Sequence, residues 1–545
     1  MRTQCIHIIN MSFELAYCPL PTLFPSHWEV SNTFETTCAT IGSYISANDR
    51  NIWFSEIVPG GTNLSFPEGC WQQSQVVSQD ICRITLSVST SDMSEISLEV
   101  WLPRDWSGRF LSTANGGLSG CIQYDDMDYA SALGFATVGT NAGHNGTTGE
   151  SFLNNPDVLI DWSWRGIHTA TVIGKEISQT FYSRPHDYSY FLGCSTGGRQ
   201  GFKSAQAFPE DFDGILAGDP GIGLSSILAW IGNFYLITGP ANSSTFVPLP
   251  LWSTIYDDMI YQCDNIDGVL DSIIENPAQC HYRPEALLCK PGTGSDDSPC
   301  LTGEQANTVR RLLSPLYLED GKLIFPAMYP GPSVDGTPEL LYGGEVFSLT
   351  VEWLRYVLHN DSSWDPATMD ITDLLAMIEL NAANSDSFDP DLSAFRDVGG
   401  KLLTFHGLQD GLIPSSNSER YYDDVSRTMG LRTSVLDEFY RYFQISGMGH
   451  CCYGPGAWMV GQNSAGNTGL DPNRNLLMAL VRWVEEGVGP ETILGTKFVN
   501  DDNLQGVSIR RKHCRYPKRN VFKGSGDGAD PGNWGFRILN LQQSQ

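Results

Sequence analysis

The sequence predicts an α/β protein in which a mostly parallel sheet is interrupted by a long insertion. Short apolar runs with strand character, at 135–140 and 215–217, alternate with a segment of helical spacing at 164–180, and such alternation is typical of parallel sheets. From about 220 to 397 the chain is rich in Pro, Gly, Asp and Cys, and its periodicity is mixed. Sheet signals return at 401–405, so we expect one sheet with an insertion between its two halves.

Local signals define the other elements. The predicted elements are, in chain order, strands at 96–102, 108–113 and 188–192, a helix at 199–208, a strand at 439–445 and a helix at 474–486. Pro103 ends the strand at 96–102, and Pro209 ends the helix at 199–208. The tail from about Gly524 is rich in Gly and Asp, so we expect it to be loosely held.

These elements divide the chain into a main domain, an insertion and two terminal segments. The N-terminal segment is a poor candidate for a signal peptide. Arg2 supplies a charged start, but polar residues interrupt the short apolar run and no clear small-residue cleavage site follows. The predicted division is an N-terminal segment at 1–35, the main domain at 36–219 and 398–520, the insertion at 220–397 and a C-terminal tail at 521–545.

Composition limits the classes of partner. The 545 residues are 41% hydrophobic and 11% aromatic, which is ample for a large core and excludes a disordered chain. With 33 Lys and Arg against 62 Asp and Glu, the formal net charge is −29, so phosphate backbones are repelled and nucleic-acid binding is not expected. No apolar run approaches the roughly 20 residues that span a bilayer, so we expect no membrane partner.

Cysteines and glycosylation sequons indicate a secreted protein. The 14 cysteines include no C-x-x-C pair, which disfavours a zinc module. Asparagine sequons occur at Asn10, Asn63, Asn145, Asn242 and Asn360. Together these features favour disulfides formed in the secretory pathway, and reduced structural thiols are the alternative.

The segment Gly193-Cys194-Ser195-Thr196-Gly197 fits the nucleophile elbow of an α/β-hydrolase. A predicted strand ends just before it and a predicted helix begins just after it. The helix N-terminus then offers free N–H groups to a developing oxyanion. The alternatives are a plain Gly-rich turn with a hydroxyl cap, or Cys194 itself as the nucleophile.

A serine nucleophile needs a base and an orienting acid, which follow it in the order Asp or Glu, then His, in α/β-hydrolases. His450 lies on a glycine-containing loop after the predicted strand at 439–445, and Asp410 follows the strand at 401–405. The alternatives are a surface histidine and an ordinary turn aspartate. His406 competes as the base, but it precedes Asp410 and would break the order.

The chain neighbours of these residues suggest a covalent link. If Ser195 and His450 are in contact, Cys194 and Cys451 are close enough for a disulfide, although Cys452 is a rival partner. The oxyanion hole needs a second donor besides the Thr196 N–H, and the turn Asn115-Gly116-Gly117 resembles the glycine-rich oxyanion turn of esterases. Gly116 or Gly117 would supply that N–H, unless this is a plain tight turn.

An acid-rich loop in the insertion is a candidate cation site. The residues Asp264, Asp267 and Asp271 lie within one short segment beside Cys263, but their spacing does not match an EF-hand. Aspartate side chains alternating with backbone carbonyls suit a hard cation. The alternative is a solvated Asp-Gly turn.

Together these motifs resemble the tannase and feruloyl esterase family, and the fungal feruloyl esterase B type in particular. The elbow, Asp410 and His450-Cys451 match that family's CS-D-HC pattern. The likeness covers roughly 38–514 and continues in the segments Val58-Pro59-Gly60-Gly61-Thr62-Asn63-Leu64, Asp80-Ile81-Cys82-Arg83, Glu99-Val100-Trp101-Leu102-Pro103, Asn115-Gly116-Gly117 and Phe212-Asp213-Gly214.

The resemblance implies an α/β-hydrolase domain whose insertion is a lid domain. It implies that Ser195 is the nucleophile, Asp410 the acid and His450 the base, with no organic cofactor. It also implies a structural calcium ion held by Asp264, Asp267, the Val269 carbonyl, Asp271 and the Ile273 carbonyl. The disulfides that it implies are Cys194–Cys451, Cys38–Cys82, Cys70–Cys121, Cys263–Cys280 and Cys289–Cys300, and Cys5, Cys18, Cys452 and Cys514 are left without partners.

The expected protein is a secreted serine esterase that hydrolyses feruloyl or cinnamoyl esters of plant cell-wall polysaccharides such as xylan. The nearest alternative is a tannase that cleaves galloyl esters. A serine peptidase would share the triad but would also cleave amides. A non-catalytic polysaccharide-binding protein is the alternative from another class. The sequence does not locate the lid residues that select the acyl group.

Overall fold

The structure is a computed structural model that describes residues 33–290, 299–332 and 336–538. Almost all of the predicted N-terminal segment, with Cys5, Cys18 and the sequon at Asn10, lies outside the described residues. In the part of the chain that the structure describes, no helix is both long and apolar enough to cross a membrane.

Strands occur along most of the described chain. In chain order they are β1 (Arg50–Val58), β2 (Asn63–Ser65), β3 (Ser74–Val76), β4 (Ile81–Ser91), β5 (Ser94–Pro103), β6 (Arg109–Thr113), β7 (Phe135–Thr140), β8 (Tyr188–Cys194), β9 (Gly214–Gly218), β10 (Leu316–Tyr317), β11 (Leu323–Phe325), β12 (Lys401–Gly407), β13 (Tyr440–Ile445), β14 (Thr492–Phe498), β15 (Val507–Cys514), β16 (Lys518–Phe522) and β17 (Trp534–Ile538).

Helices separate the later strands of the main sheet and make up most of the insertion. In chain order they are α1 (Phe34–Thr40), α2 (Gly42–Ile45), α3 (Tyr124–Ala132), α4 (Pro156–Ile160), α5 (Gly166–Tyr182), α6 (Thr196–Ala207), α7 (Leu224–Thr238), α8 (Pro250–Cys263), α9 (Gly303–Leu312), α10 (Thr337–Tyr342), α11 (Ser348–Trp353), α12 (Ile371–Leu380), α13 (Ser393–Asp397), α14 (Ser415–Thr428), α15 (Thr433–Leu436) and α16 (Leu476–Glu486).

The main sheet has nine strands in the order β1-β4-β5-β7-β6-β8-β9-β12-β13. From β7 to β13 neighbouring strands run parallel, as the sequence predicted. The strands β1, β4 and β5 form an antiparallel edge that the prediction of a mostly parallel sheet did not specify. Only Asp92 and Met93 separate β4 from β5, and a connection that short joins antiparallel strands. The fold is that of an α/β-hydrolase.

The insertion leaves and re-enters the sheet between two neighbouring strands. β9 and β12 pair directly, with Ile215 opposite Leu402, although the helices α7 to α13 lie between them in the chain. These helices bury an apolar core that includes Trp230, Phe234 and Trp353 and that extends to Phe152 and Trp162 of the main domain. The chain between β9 and β12 therefore stands outside the sheet, as the sequence indicated, and the domain bounds at 220 and 397 stay a prediction.

The predicted C-terminal tail is the main correction. β17 pairs with β16 along its length, and Trp534 is only 4% exposed. The Trp534 Nε1–H donates to the Gly528 carbonyl at 2.8 Å, and the Arg511 guanidinium lies 3.6 Å from the ring centroid. The expectation of a loosely held tail is therefore wrong up to residue 538, because an aromatic anchor outweighs the Gly-rich composition.

Candidate active site

The turn at Ser195 has the geometry of a nucleophile elbow. β8 ends at Cys194 and α6 begins at Thr196, so the helix starts earlier than the predicted residue 199. Ser195 between them has φ 64° and ψ −123°, a strained conformation for a residue with a side chain. A Cβ atom at Gly193 or Gly197 would lie 2.6 or 2.5 Å from the Ala114 side chain. The flanking glycines therefore allow the close passage that the turn requires.

Asp410 and His450 meet at the same edge of the sheet. Asp410 follows β12 and His450 follows β13, and these neighbouring parallel strands end side by side. The His450 Nδ1 lies 2.7 Å from Asp410 Oδ2. Asp410 Oδ1 accepts N–H bonds from Leu412 at 2.8 Å and Ile413 at 2.9 Å. Both carboxylate oxygens of Asp410 therefore have partners, and the imidazole is oriented by one of them.

The electrostatics of this pair favour opposite charges. Burial by itself would raise the pKa of Asp410, but the charge of His450 and hydrogen bonds from His406 and His450 hold that pKa well below its usual range. Burial would lower the pKa of His450, but the charge and hydrogen bond of Asp410 hold that pKa above its ordinary value. Asp410 is therefore an ionised partner that stabilises the protonated form of His450.

The competing histidine, His406, does not face the cavity that contains Ser195. Its side chain is fully buried, and its Nδ1 lies 2.8 Å from Ser418 Oγ. Its Nε2 lies 2.7 Å from the Ile413 carbonyl and 3.2 Å from Asp410 Oδ2. Both ring nitrogens of His406 are therefore occupied by protein groups, whereas His450 lines the cavity together with Ser195.

A disulfide links the elbow to the loop after β13 that carries His450, which we call the histidine loop. Cys194 and Cys451 are bonded across a sequence separation of 257 residues, with Cα atoms 6.0 Å apart. Cys194 is therefore not a free nucleophile, and the rival Cys452 is a free thiol, as is Cys514, among the described cysteines. The other disulfides of the structure are the implied pairs Cys38–Cys82, Cys70–Cys121, Cys263–Cys280 and Cys289–Cys300.

The residues considered for the oxyanion hole border the same cavity. Gly116, Gly117 and Thr196 all line it. The Thr196 hydroxyl donates to the Gly117 carbonyl at 2.8 Å, which ties the start of α6 to the turn after β6. Gly117 has φ 55°, a conformation that glycine adopts without strain. The turn and the helix N-terminus therefore lie together at the cavity that contains Ser195.

The cavity has a volume of about 560 Å³ and two chemically different walls. The insertion supplies an apolar wall of Leu224, Ile227, Leu228, Ile231, Phe347 and Leu349. The main domain supplies a polar wall of Gln123, Asp125, Asp126, Asn463 and Ser464, and it also contributes the apolar side chains of Trp71, Leu412 and Ile413. Such a mixture of apolar surface and a few polar groups is typical of small-molecule sites. The sequence located neither wall, because the residues come from distant segments.

Asp219, directly after β9, is a buried residue that the sequence analysis did not single out. Its Oδ1 accepts the Gly407 N–H at 2.7 Å, and its Oδ2 accepts the Cys451 N–H. The carboxylate is fully buried. No local motif marks Asp219, because its partners belong to two segments far away in the chain.

The acid-rich loop of the insertion has a different hydrogen-bond pattern. Asp264 Oδ2 accepts the Ser272 N–H at 3.0 Å, and Asp267 Oδ1 accepts the Val269 N–H at 2.8 Å. Asp271 Oδ2 accepts from Arg511 Nη2 at 2.8 Å. Asp267 Oδ2 is buried and has no hydrogen-bond partner in the structure. The loop therefore has an acceptor oxygen that protein groups do not satisfy.

Comparison with known proteins shows similarity over nearly the whole chain. The profile of the family described as "Tannase and feruloyl esterase" matches residues 82–353 and 346–534. The probable feruloyl esterase B-2 of Aspergillus terreus is 49% identical over 519 residues, which cover 95% of this chain and 98% of that protein. The probable feruloyl esterase B of Emericella nidulans is 48% identical over 506 residues, which cover 93% and 95%.

Solved structures have the same architecture. An esterase from Aspergillus oryzae superposes with a TM-score of 0.90 at 48% identity, and feruloyl esterase B from Aspergillus oryzae with 0.89 at 42%. Each match covers 93% of this chain and 100% of the other. The tannin acyl hydrolase from Aspergillus niger, at 21% identity and a TM-score of 0.72, shares the fold. This chain therefore belongs to the tannase and feruloyl esterase family of carboxylic ester hydrolases.

Proposed function

We propose that this protein is a serine esterase of phenolic esters in which Ser195, His450 and Asp410 act as a catalytic triad. The observation that carries the proposal is the short contact between His450 and Asp410 beside a cavity that also contains Ser195. A charged acid that orients an imidazole near a serine on a strained turn is the arrangement that activates a hydroxyl nucleophile. The chain order Ser, Asp, His is that of α/β-hydrolases.

In the proposed reaction, the Ser195 Oγ attacks the ester carbonyl carbon while His450 Nε2 takes its proton. The oxyanion of the tetrahedral intermediate is stabilised by the Thr196 N–H and by that of Gly116 or Gly117. The carbon–oxygen bond to the alcohol then breaks, and His450 returns the proton to the departing oxygen. Water, deprotonated by His450, next attacks the acyl-enzyme, which releases the carboxylic acid and restores Ser195.

The apolar wall of the cavity favours a cinnamoyl acyl group over a galloyl group. Leu228 and Ile231 of α7 and Phe347 offer no hydrogen-bond partners from their side chains. A gallate ring carries three hydroxyl groups that lose hydrogen bonds with water when they enter such surroundings, which is costly. Ferulate has fewer hydroxyl groups, so we propose a feruloyl esterase. The names of the relatives from Aspergillus terreus and Emericella nidulans support the same choice.

Parallel assays of methyl ferulate and methyl gallate test the proposal directly. We expect kcat/KM to be about 100-fold higher for methyl ferulate, because an apolar pocket rejects a substrate with added hydroxyl groups by about that factor. A preference for methyl gallate would make the protein a tannase. The absence of turnover on both esters, together with no labelling of Ser195 by a fluorophosphonate, would favour the non-catalytic polysaccharide-binding protein.

We also propose that the protein is secreted and acts on esters attached to plant cell-wall polysaccharides. Disulfides form and persist in oxidising compartments, and the chain has five within its described residues. The sequon asparagines Asn63, Asn145, Asn242 and Asn360 are all exposed, as acceptors for N-glycans must be. The polar wall of the cavity suits a sugar as the alcohol portion of the ester.

Finally, we propose that the loop at 264–273 binds a structural calcium ion. Asp264, Asp267, Asp271 and the carbonyls of Val269 and Ile273 would hold the ion, and such a set of oxygen donors fits calcium. The orphaned buried oxygen of Asp267 supports this, because an unpaired charged oxygen is costly to bury. Calcium would add positive charge at this loop, which Arg511 supplies only to Asp271 and Glu275.

A further inference from the structure

We propose that Asp219 is a positioning residue of the esterase, whose buried carboxylate holds the His450 loop in register with the elbow and with Asp410. This inference rests on the proposed function of the triad. Asp219 does not line the cavity that contains Ser195 and His450. Its effect on the reaction would therefore pass through the residues that it holds.

One half of the carboxylate fixes the strand that leads to Asp410. Asp219 follows β9, and its own N–H donates to the Phe405 carbonyl of β12 at 2.9 Å. Its Oδ1 accepts the Gly407 N–H at the end of the same strand at 2.7 Å. Asp410 lies three residues later. The start of the turn that carries Asp410 is therefore bonded to Asp219 by a buried, charge-assisted hydrogen bond, which is stronger than a neutral one.

The other half fixes the histidine loop. Asp219 Oδ2 accepts the N–H of Cys451, the residue directly after His450. Cys451 has φ 64°, a left-handed conformation that is unfavourable for a residue with a side chain and that surrounding contacts must maintain. Cys194 Sγ, to which Cys451 is bonded, lies 3.8 Å from the same oxygen. Asp219 Oδ2 therefore holds the backbone next to His450 and also contacts the disulfide.

The packing around Gly407 shows why such an anchor is needed. A Cβ atom at Gly407 would lie 2.4 Å from the Met448 carbonyl oxygen and 2.3 Å from that of Gly449. The histidine loop therefore passes directly over the end of β12 without an intervening side chain. Asp219 bridges the two segments at this crossing, since it accepts one N–H bond from each of them.

The charge of Asp219 also acts on the base. One side-chain ligand atom from each of Asp219, Asp410 and His450 lies within 4.8 Å of the others. The titratable groups that face Asp219 are His406 on β12, with Nε2 3.7 Å from Oδ1, Asp410 and His450, and the thiol of Cys452. Asp219, like Asp410, raises the pKa of His450. Removing its charge therefore makes the imidazolium easier to deprotonate.

The variant Asp219→Asn tests both effects together because it keeps the size of the side chain and tolerates the φ of 34° at this position. Its amide can accept one of the two N–H bonds but not both. We expect kcat/KM for methyl ferulate to fall about 10- to 100-fold, as for a small misplacement of catalytic groups. We also expect the acid limb of the pH profile to move to lower pH, because a neutral residue 219 no longer favours protonated His450.

Asp128→Asn is the matched control. Asp128 is also buried and accepts a backbone N–H, from Ser78 at 2.8 Å, but it lies outside the triad. This variant should lower the melting temperature and leave the pH midpoint unchanged. If Asp219→Asn does not fold, Asp219→Ser keeps one acceptor without added volume and takes its place.

The rate of fluorophosphonate labelling at Ser195, measured against pH, makes the outcome independent of the ester chosen. Wild-type protein that is labelled but does not hydrolyse methyl ferulate would refute the substrate proposal, while the labelling profile of Asp219→Asn would still test the positioning role. An Asp219→Asn protein with the wild-type labelling rate, or with a lower rate and an unmoved pH midpoint, would overturn the positioning role.

Discussion

Two loops of this protein are each tied by a disulfide, yet they differ in how the carboxylates in or beside them are satisfied. Around the histidine loop, tied by Cys194–Cys451, each oxygen of Asp410 and Asp219 has a protein donor. In the loop at 264–273, beside Cys263–Cys280, Asp267 Oδ2 has no donor among the described residues. The first loop is complete with groups of the chain itself. The second leaves a buried acceptor oxygen that the described part of the chain does not satisfy.

The largest expected effect comes from removing the nucleophile. If the first loop is complete as a catalytic unit, Ser195→Ala removes chemistry and leaves its hydrogen bonds intact. We expect kcat for methyl ferulate to fall on the order of 10⁴- to 10⁶-fold, while the melting temperature stays within about 1 °C of the wild type. Steady-state kinetics and thermal unfolding monitored by circular dichroism measure both.

Ser204→Ala serves as the control for that variant. Ser204 lies on α6, the helix that follows the elbow, and it is buried outside the cavity. Its loss should leave kcat within about two-fold of the wild type. Retained turnover in Ser195→Ala would refute the serine mechanism. The complete hydrogen bonding around the histidine loop could then no longer be explained by catalysis at Ser195.

The next effect concerns the disulfide of the first loop. Replacement of both Cys194 and Cys451 by Ser keeps the volume and removes the covalent link between elbow and histidine loop. We expect kcat/KM for methyl ferulate to fall about 10- to 100-fold, because the base and the nucleophile lose their fixed register. The melting temperature should also fall, since a native cross-link typically contributes about 2–4 kcal/mol.

The matched control is the double Ser variant of Cys289 and Cys300, a disulfide of the insertion. It should lower the melting temperature and leave kcat/KM unchanged. Equal losses of kcat/KM in the two double variants would mean that Cys194–Cys451 acts only through stability. The position of His450 relative to Ser195 would then depend on hydrogen bonds, such as those of Asp219, and not on the disulfide.

The sequence predicted best those features whose signal is local. β7 was placed at its observed bounds, Phe135–Thr140, because a short apolar run between polar turns is characteristic of a buried parallel strand. The elbow at Ser195 was predictable because glycines on both sides of one serine satisfy a steric requirement of the turn itself. The strand β1 of the antiparallel edge was not predicted, because all but one of its side chains are exposed or half-buried and it has no long apolar run.

Features that depend on distant partners were not predictable from one sequence. Asp219 is followed by Pro220 and Gly221, which resembles an ordinary turn, and its partners Gly407 and Cys451 belong to other segments. The apolar wall of the cavity depends on how α7 of the insertion lies over the elbow. The packed C-terminal segment was missed because Trp534 finds its partner Arg511 in another strand.

The smallest effect tests the second loop. If Asp267 binds calcium and the protein is first held near 100 times the calcium Kd, chelation with EGTA should lower the melting temperature by about 2 °C. Asp267→Asn should have the lower melting temperature from the start and be insensitive to EGTA. Elemental analysis of the purified wild type should find one calcium per chain. Asp320, an exposed residue of the insertion that accepts the Lys322 N–H at 2.9 Å, provides the control Asp320→Asn, which should respond to EGTA as the wild type does. A metal-free wild type whose melting temperature does not respond to EGTA would refute the calcium site. The unpaired oxygen of Asp267 would then be a destabilising feature that the protein tolerates, and the difference between the two loops would not reflect a missing ion.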